Sequence, residues 1–159
     1  MKTTTPWAMA AGCVRYLTLA ALFAGVAACG AAPTQPPHNA GRADVVTIAR
    51  TMVGVPYRYG GASPSGFDCS GLVHYAYSHA GHAVPRTTEL QYARAKAVHG
   101  ERLAAGDLLF FVIRNKPSHV GIYVGDGRFV HAPSSGKAVS YGSLADPYWQ
   151  ARLVKIGRF

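Results

Sequence analysis

The sequence predicts an α+β domain in which N-terminal helices pack on an antiparallel β-sheet. Three observations carry this. Between Asp44 and about Val98 the apolar residues recur at helical spacing. From Leu108 onward they fall in short runs and period-two alternations separated by Gly- and Asp-containing turns. The helical block precedes the strands instead of alternating with them, an order that favours segregated layers over a parallel sheet.

At 159 residues the chain suits one domain with a real core. It carries 16 Lys and Arg against 7 Asp and Glu. The basic residues are scattered, and no basic run with interleaved aromatics marks a nucleic-acid surface. The excess suits an anionic polymer or an anionic membrane surface.

Residues 1–28 have the pattern of an export signal. Lys2 and Arg15 precede an uncharged apolar run, Tyr16 to Ala28, that is too short to span a bilayer. Val26-Ala27-Ala28-Cys29-Gly30 resembles a bacterial lipobox, which implies lipidation of Cys29 and attachment of the mature chain to a membrane. Gly30 in place of Asp resembles the outer-membrane-sorted kind, facing the periplasm. An ordinary secretory signal and a buried core helix are the competing readings. Residues 29–43, with Pro33, Pro36, Pro37 and Gly41, read as the lipidated terminus and a flexible tether. Cys13 and Cys29 belong to these segments, so Cys69 is the lone cysteine of the domain spanning residues 44–159, and no disulfide framework exists.

Within that domain, Val45, Ile48, Ala49, Met52 and Val53 predict a first helix capped by Asp44 and ended by Gly54 and Pro56. A Gly-rich loop, Val55 to Gly61, leads to a second helix. There Asp68 is the N-cap, Leu72, Val73, Ala76, Tyr77 and Ala80 form the buried stripe, and Gly81 is the stop. Cys69 falls in the first turn, where free N–H groups and the dipole favour a thiolate. A depressed thiol pKa is therefore expected. Thr88-Glu89-Leu90-Gln91 fits a capping box opening a third helix to about Val98. Strands are expected at Leu108–Ile113, His119–Val124, Arg128–His131, about Ala138–Tyr141, and Leu153–Ile156.

The strand His119–Val124 places His119, Gly121 and Tyr123 on one face and Val120, Ile122 and Val124 on the other. A three-residue loop, Gly125–Gly127, keeps the faces consistent by setting Val130 opposite Ile122 and Phe129 opposite Tyr123. A two-residue loop would mix them. The preferred register puts His131 opposite Gly121 and diagonal to His119, with Gly121 leaving room between the rings. If the Cys69 helix packs on that face, the thiol meets one imidazole and the other imidazole orients the first. His119 is then the base and His131 the orienting group. Backbone N–H groups near Cys69, with the Tyr57 hydroxyl, are candidate oxyanion donors. The same Cys–His–His set could instead ligate zinc, but no CxxC or HExxH pair accompanies it. His38, His74, His79, His82 and His99 have no evident partners and read as surface or packing residues.

Pro56-Tyr57-Arg58-Tyr59-Gly60-Gly61, Gly66 to Val73, Pro85-Arg86-Thr87, Gly106-Asp107-Leu108, Ser118 to Tyr123 and Phe129 to Ala132 together resemble the NlpC/P60 family of cell-wall cysteine peptidases. The resemblance implies a papain-like fold, no metal or other cofactor, a monomer, and peptidoglycan stem peptides as substrate. It implies Cys69 as nucleophile, His119 as base and His131 as orienting residue. Tyr57 matches a tyrosine beside the nucleophile, and Asp68, Ser70 and Arg86 match positions bordering the cleft. For these three, capping and packing compete with substrate contact. Ala105 and Tyr59 stand where the family often has proline and tryptophan. A catalytically silent wall-binding lipoprotein, or an amidase or acyltransferase of the same fold, is the alternative.

Overall fold

The fold is taken from a computed structural model that describes residues 38–113 and 115–159. The expected leader, Cys29 and the tether up to residue 37 lie outside those residues. No helix of the described residues is long and apolar enough to cross a membrane.

Helix α1 (His38–Thr51) begins before Asp44, so Asp44 lies within the helix and does not cap it, and residues 38–43 are helical rather than tether. Its buried stripe is Val45, Val46 and Ala49. The loop after it contains a small ladder, β1 (Ala62–Ser63) against β2 (Gly66–Phe67), which short Gly-rich sequence does not signal. Helix α2 (Cys69–His79) has the expected Asp68 cap and buries Leu72, Val73, Ala76 and Tyr77. Helix α3 (Thr88–Arg94) is shorter than expected and is capped by Thr87, whose side chain accepts from the Leu90 N–H. After Arg94 the chain turns into β3 (Lys96–Ala97), because its N–H and C=O groups find a partner at a sheet edge.

The remaining elements are β4 (Leu108–Ile113), β5 (Lys116–Gly125), β6 (Arg128–His131), β7 (Ser140–Ser143), α4 (Pro147–Gln150) and β8 (Leu153–Arg158). They form an antiparallel sheet in the order β3-β8-β4-β5-β6-β7.

The two faces of this sheet differ. Val120, Ile122, Val124, Val130 and Ala132 join Leu108 and Phe110 in one core with the buried stripes of α1 and α2. Leu109, Phe111 and Phe129 form a second core with Tyr123, Leu144, Trp149 and Leu153. The period-two pattern predicts this segregation, since each strand residue alternates between the two.

The β5–β6 register is the expected one, with Ile122 opposite Val130 and Tyr123 opposite Phe129. The connection achieves it differently. Asp126 and Gly127 have φ of 53° and 68°, the positive values of a type I′ two-residue turn. The register then shifts between Tyr123 and Gly125, so one bulged residue restores the alternation that the short turn would have broken.

Candidate active site

The Asp68 carboxylate fixes the start of α2. It accepts from the Gly71 N–H at 2.6 Å and the Gly60 N–H at 3.0 Å. Arg86 grips it through two nitrogens at 2.9 and 2.7 Å, and also donates to Ser70 Oγ and the Gly61 carbonyl. Buried Gln91 donates to the Ser70 and Pro85 carbonyls, tying α3 to the same turn. Asp68, Ser70 and Arg86 are thus engaged with one another around the helix start. The Asp68 contact holds the Arg86 guanidinium above its ordinary pKa.

This clamp sets the position of Cys69. Its Sγ lies 3.6 Å from Thr88 Oγ1 and 3.9 Å from the Ser118 carbonyl. The body of α2 packs on the Val120/Ile122 face, opposite to the face that carries the histidines. The expectation that the whole helix covers the histidine face is therefore not met. Cys69, its first residue, lies beside Ser118 near the start of β5, and the two line a cleft of about 310 Å³ together with His119 from the other face. Tyr57, Cys69, Lys116, Ser118, His119 and Ser134 line that cleft.

On the other face, His119 Nε2 and His131 Nδ1 are 2.8 Å apart, and each residue is only 4% exposed. Gly121 does not leave space between the two rings: the Phe129 ring fills it, and a Cβ at 121 would come within 2.6 Å of Phe129 Cδ2. His119 also packs against Phe111, and His131 against Phe129. Trp149 stacks on His119 at 5.4 Å and meets His131 edge-on at 5.0 Å.

Burial sets the electrostatics. It pulls the His119 ring down to about 3, helped by His131, and the His131 ring down to about 4, helped by Lys137. Burial also pushes the Cys69 thiol up, more than its hydrogen bonds with Thr88 and backbone lower it. The expected depressed thiol is therefore absent in this state. Among the described residues no hydrogen bond joins Sγ to His119, and the arrangement is a neutral thiol beside a neutral imidazole pair. Burial raises the Tyr57 pKa above its ordinary value, and a charged Cys69 thiolate would raise it further.

The NlpC/P60 family model matches residues 54–158. The chain belongs to the NlpC/P60 family. The murein DD-endopeptidase MepH of Escherichia coli (strain K12) is 44% identical over 113 residues, 67% of this chain and 42% of that protein. The bifunctional muramidase/DL-endopeptidase CwlT of Bacillus subtilis (strain 168) is 43% identical, over 72% of this chain and 35% of its own. The chain thus spans under half the length of these relatives. An NlpC/P60 family protein of Bacillus cereus superposes with a TM-score of 0.70 at 32% identity, covering 74% of this chain and 40% of that one. The NlpC/p60 domain of the peptidoglycan hydrolase SagA superposes at 0.64 and 34% identity, covering 74% of this chain and 98% of that one. The expected papain-like α+β fold of NlpC/P60 domains is the fold present.

Sequence reasoning missed three residues at this NlpC/P60 site. Thr88, which the sequence pattern offers only as a helix cap, lies beside the thiol. Ser134 lines the cleft from a connection with no periodic pattern. Trp149 comes from a four-residue helix, α4, too short for periodicity to register. Pro147 after Asp146 was the available signal for it, a helix start with its N-cap. His74 and His79 bond to the nearby Val84 and Tyr75 carbonyls, as packing residues do. Among the described residues no three His, Cys, Asp or Glu are grouped to hold a metal ion.

Proposed function

We propose that this chain is a peptidoglycan endopeptidase that hydrolyses peptide bonds in stem peptides or their cross-links through an acyl-enzyme on Cys69. The observation that carries this is the one cleft shared by Cys69, His119 and Tyr57, with His119 already bonded to His131.

The chemistry follows from which atoms remain. His119 Nε2 is occupied by His131, so Nδ1 is the nitrogen left to take the thiol proton. For Nδ1 to accept, Nε2 must carry hydrogen and donate it to His131 Nδ1, which fixes the tautomer. Sγ attacks the carbonyl carbon as its proton passes to Nδ1. The tetrahedral oxyanion sits against N–H groups of the first turn of α2 and the protonated Tyr57 hydroxyl. Nδ1 then gives its proton to the leaving amine, leaving a thioester. Water, deprotonated by Nδ1, hydrolyses the thioester and regenerates the thiol.

Cys69 is thus the nucleophile of a thiol peptidase, His119 its base and His131 its orienting group. The relatives are named for different bonds, DD in one and DL in another, at 44% and 43% identity. Mass spectrometry of purified wall fragments incubated with the chain and with Cys69→Ala tests the assignment. New peptide termini with the thiol form alone support it and name the bond; fragments bound but uncut by both forms overturn it in favour of a binding protein. The lipobox pattern adds that Cys29 anchors the chain by lipid to the outer membrane, facing the periplasm. Metabolic labelling with a fatty acid should mark the chain and not Cys29→Ala.

A further inference from the structure

Trp149 is one of two tryptophans in the chain, and it rests on a helix of four residues. That helix is held by both ends. Asp146 accepts from the Tyr148 N–H at 2.8 Å, and the Arg152 carbonyl accepts from the Val112 N–H of β4 at 2.8 Å. Arg152 lies over the Tyr148 ring at 3.8 Å. The indole therefore sits in a fixed place over the histidine face. It contacts four rings there: stacked on His119 at an interplanar angle of 25°, edge-on to His131, 4.8 Å from Phe111 and 5.3 Å from Phe129.

We propose that Trp149 is a positioning residue for the reaction, whose indole holds the His119 ring plane and keeps water from the His119–His131 hydrogen bond. This rests on the proposed role of His119 as base. A stacked aromatic limits rotation of the imidazole, so Nδ1 stays directed to the cleft. A dry neighbourhood strengthens the Nε2···Nδ1 bond and penalises the charged ring, in keeping with the depressed His119 and His131 pKa values. The other titratable or charged groups that surround the pair are Cys69 and Tyr57, Lys116 of β5, and Lys137 of the β6–β7 connection. On the α4 side, Asp146 is spent on its cap and Arg152 on Tyr148. None of the residues lining the cleft on the thiol side is a carboxylate. On the indole side Asp146 is the nearest acid, so the titration includes Asp146→Asn beside Trp149→Leu to separate relief of desolvation from attraction by that carboxylate.

The test compares the full chain with Trp149→Phe and Trp149→Leu. Ring-nitrogen NMR titration follows His119 and His131 directly, without substrate. Trp149→Leu should raise the His119 midpoint by more than about one pH unit as desolvation is relieved, with Trp149→Phe between it and the parent. On cleaved stem peptides, Trp149→Leu should lose about tenfold in kcat with little change in KM. Its acid limb should rise with the midpoint, because a base protonated at higher pH is lost at higher pH. Trp149→Phe should recover most of the rate. Equal midpoints in the three folded proteins, or a fall in Tm with midpoint and kcat unchanged, would overturn the proposal. If Trp149→Leu does not fold, the parent and Trp149→Phe decide it by the same criterion. If no form cleaves peptide, the proposed function fails while the titration still reads the role of Trp149.

Discussion

The two faces of the sheet do different jobs with different chemistry. The face toward α1 and α2 is mostly aliphatic and continuous, from Val45 and Ala49 through Leu72 and Val73 to Ile122 and Val130, with Phe67, Tyr77 and Phe110 among them and no titratable imidazole. The other face is aromatic and polar at once, with His119 and His131 set among Phe111, Phe129 and Trp149. Cys69 is anchored by the first core and the imidazoles by the second, and they meet at the cleft near Ser118. A change in the first core should therefore alter stability alone, and a change in the second should alter chemistry as well.

The sharpest way to break that division is at the imidazoles. His119→Ala should lower kcat by about 10³-fold or more, since the thiol loses its proton acceptor. His131→Ala should cost less, about 10²-fold, because it frees the ring without removing it. Both truncations also leave a cavity and should lower Tm, so rates are compared per folded molecule; a loss of rate no greater than the loss of folded protein would show that the aromatic face is only structural.

The aliphatic face should respond the other way. Leu72→Ala and Ile122→Ala each remove a fully buried side chain and should cost about 2–5 kcal/mol of unfolding free energy, measured in urea. Activity per folded molecule should hold. If Leu72→Ala instead lowered kcat while the midpoint stood still, the two faces would not be independent.

Smaller effects come from pH. Both folded-state histidine pKa values, about 3 and about 4, lie below the unfolded 6.5. The unfolded chain therefore binds more protons between roughly pH 3 and 6.5. Stability is full above about 6.5 and declines as pH falls through that window. His119→Phe with His131→Phe should flatten the decline in a urea midpoint series. The thiol moves in the opposite sense: iodoacetamide alkylation of Cys69 should have a midpoint above the ordinary value near 8.5, as its burial requires. A midpoint well below 8.5 would mean that the ion pair is preformed.

Much of this was legible in the sequence for identifiable reasons. Helix α2 and its Asp68 cap followed from spacing and one side chain, and the β5–β6 register from the requirement that faces match. The bulge that reconciles a two-residue turn with that register was not legible, because alternation fixes parity and does not say where the extra residue goes. Which face α2 covers was equally hidden: both faces of β5 are buried, so burial alone could not choose between Val120 and His119. Thr88 and Trp149 were missed because their importance lies in contacts between distant segments, which local pattern does not encode. The start of α1 at His38 was obscured by Pro36 and Pro37 just before it and by Gly41 within its first turns.

The most direct test of the account is to look for the covalent intermediate. The chain and His119→Ala would be mixed with a purified stem peptide, quenched in acid within the first turnover, and weighed by intact-protein mass spectrometry. The account predicts an acyl adduct on Cys69 in the parent, absent in His119→Ala and in Cys69→Ala. Cleavage that proceeds without an adduct and persists in Cys69→Ala would contradict it.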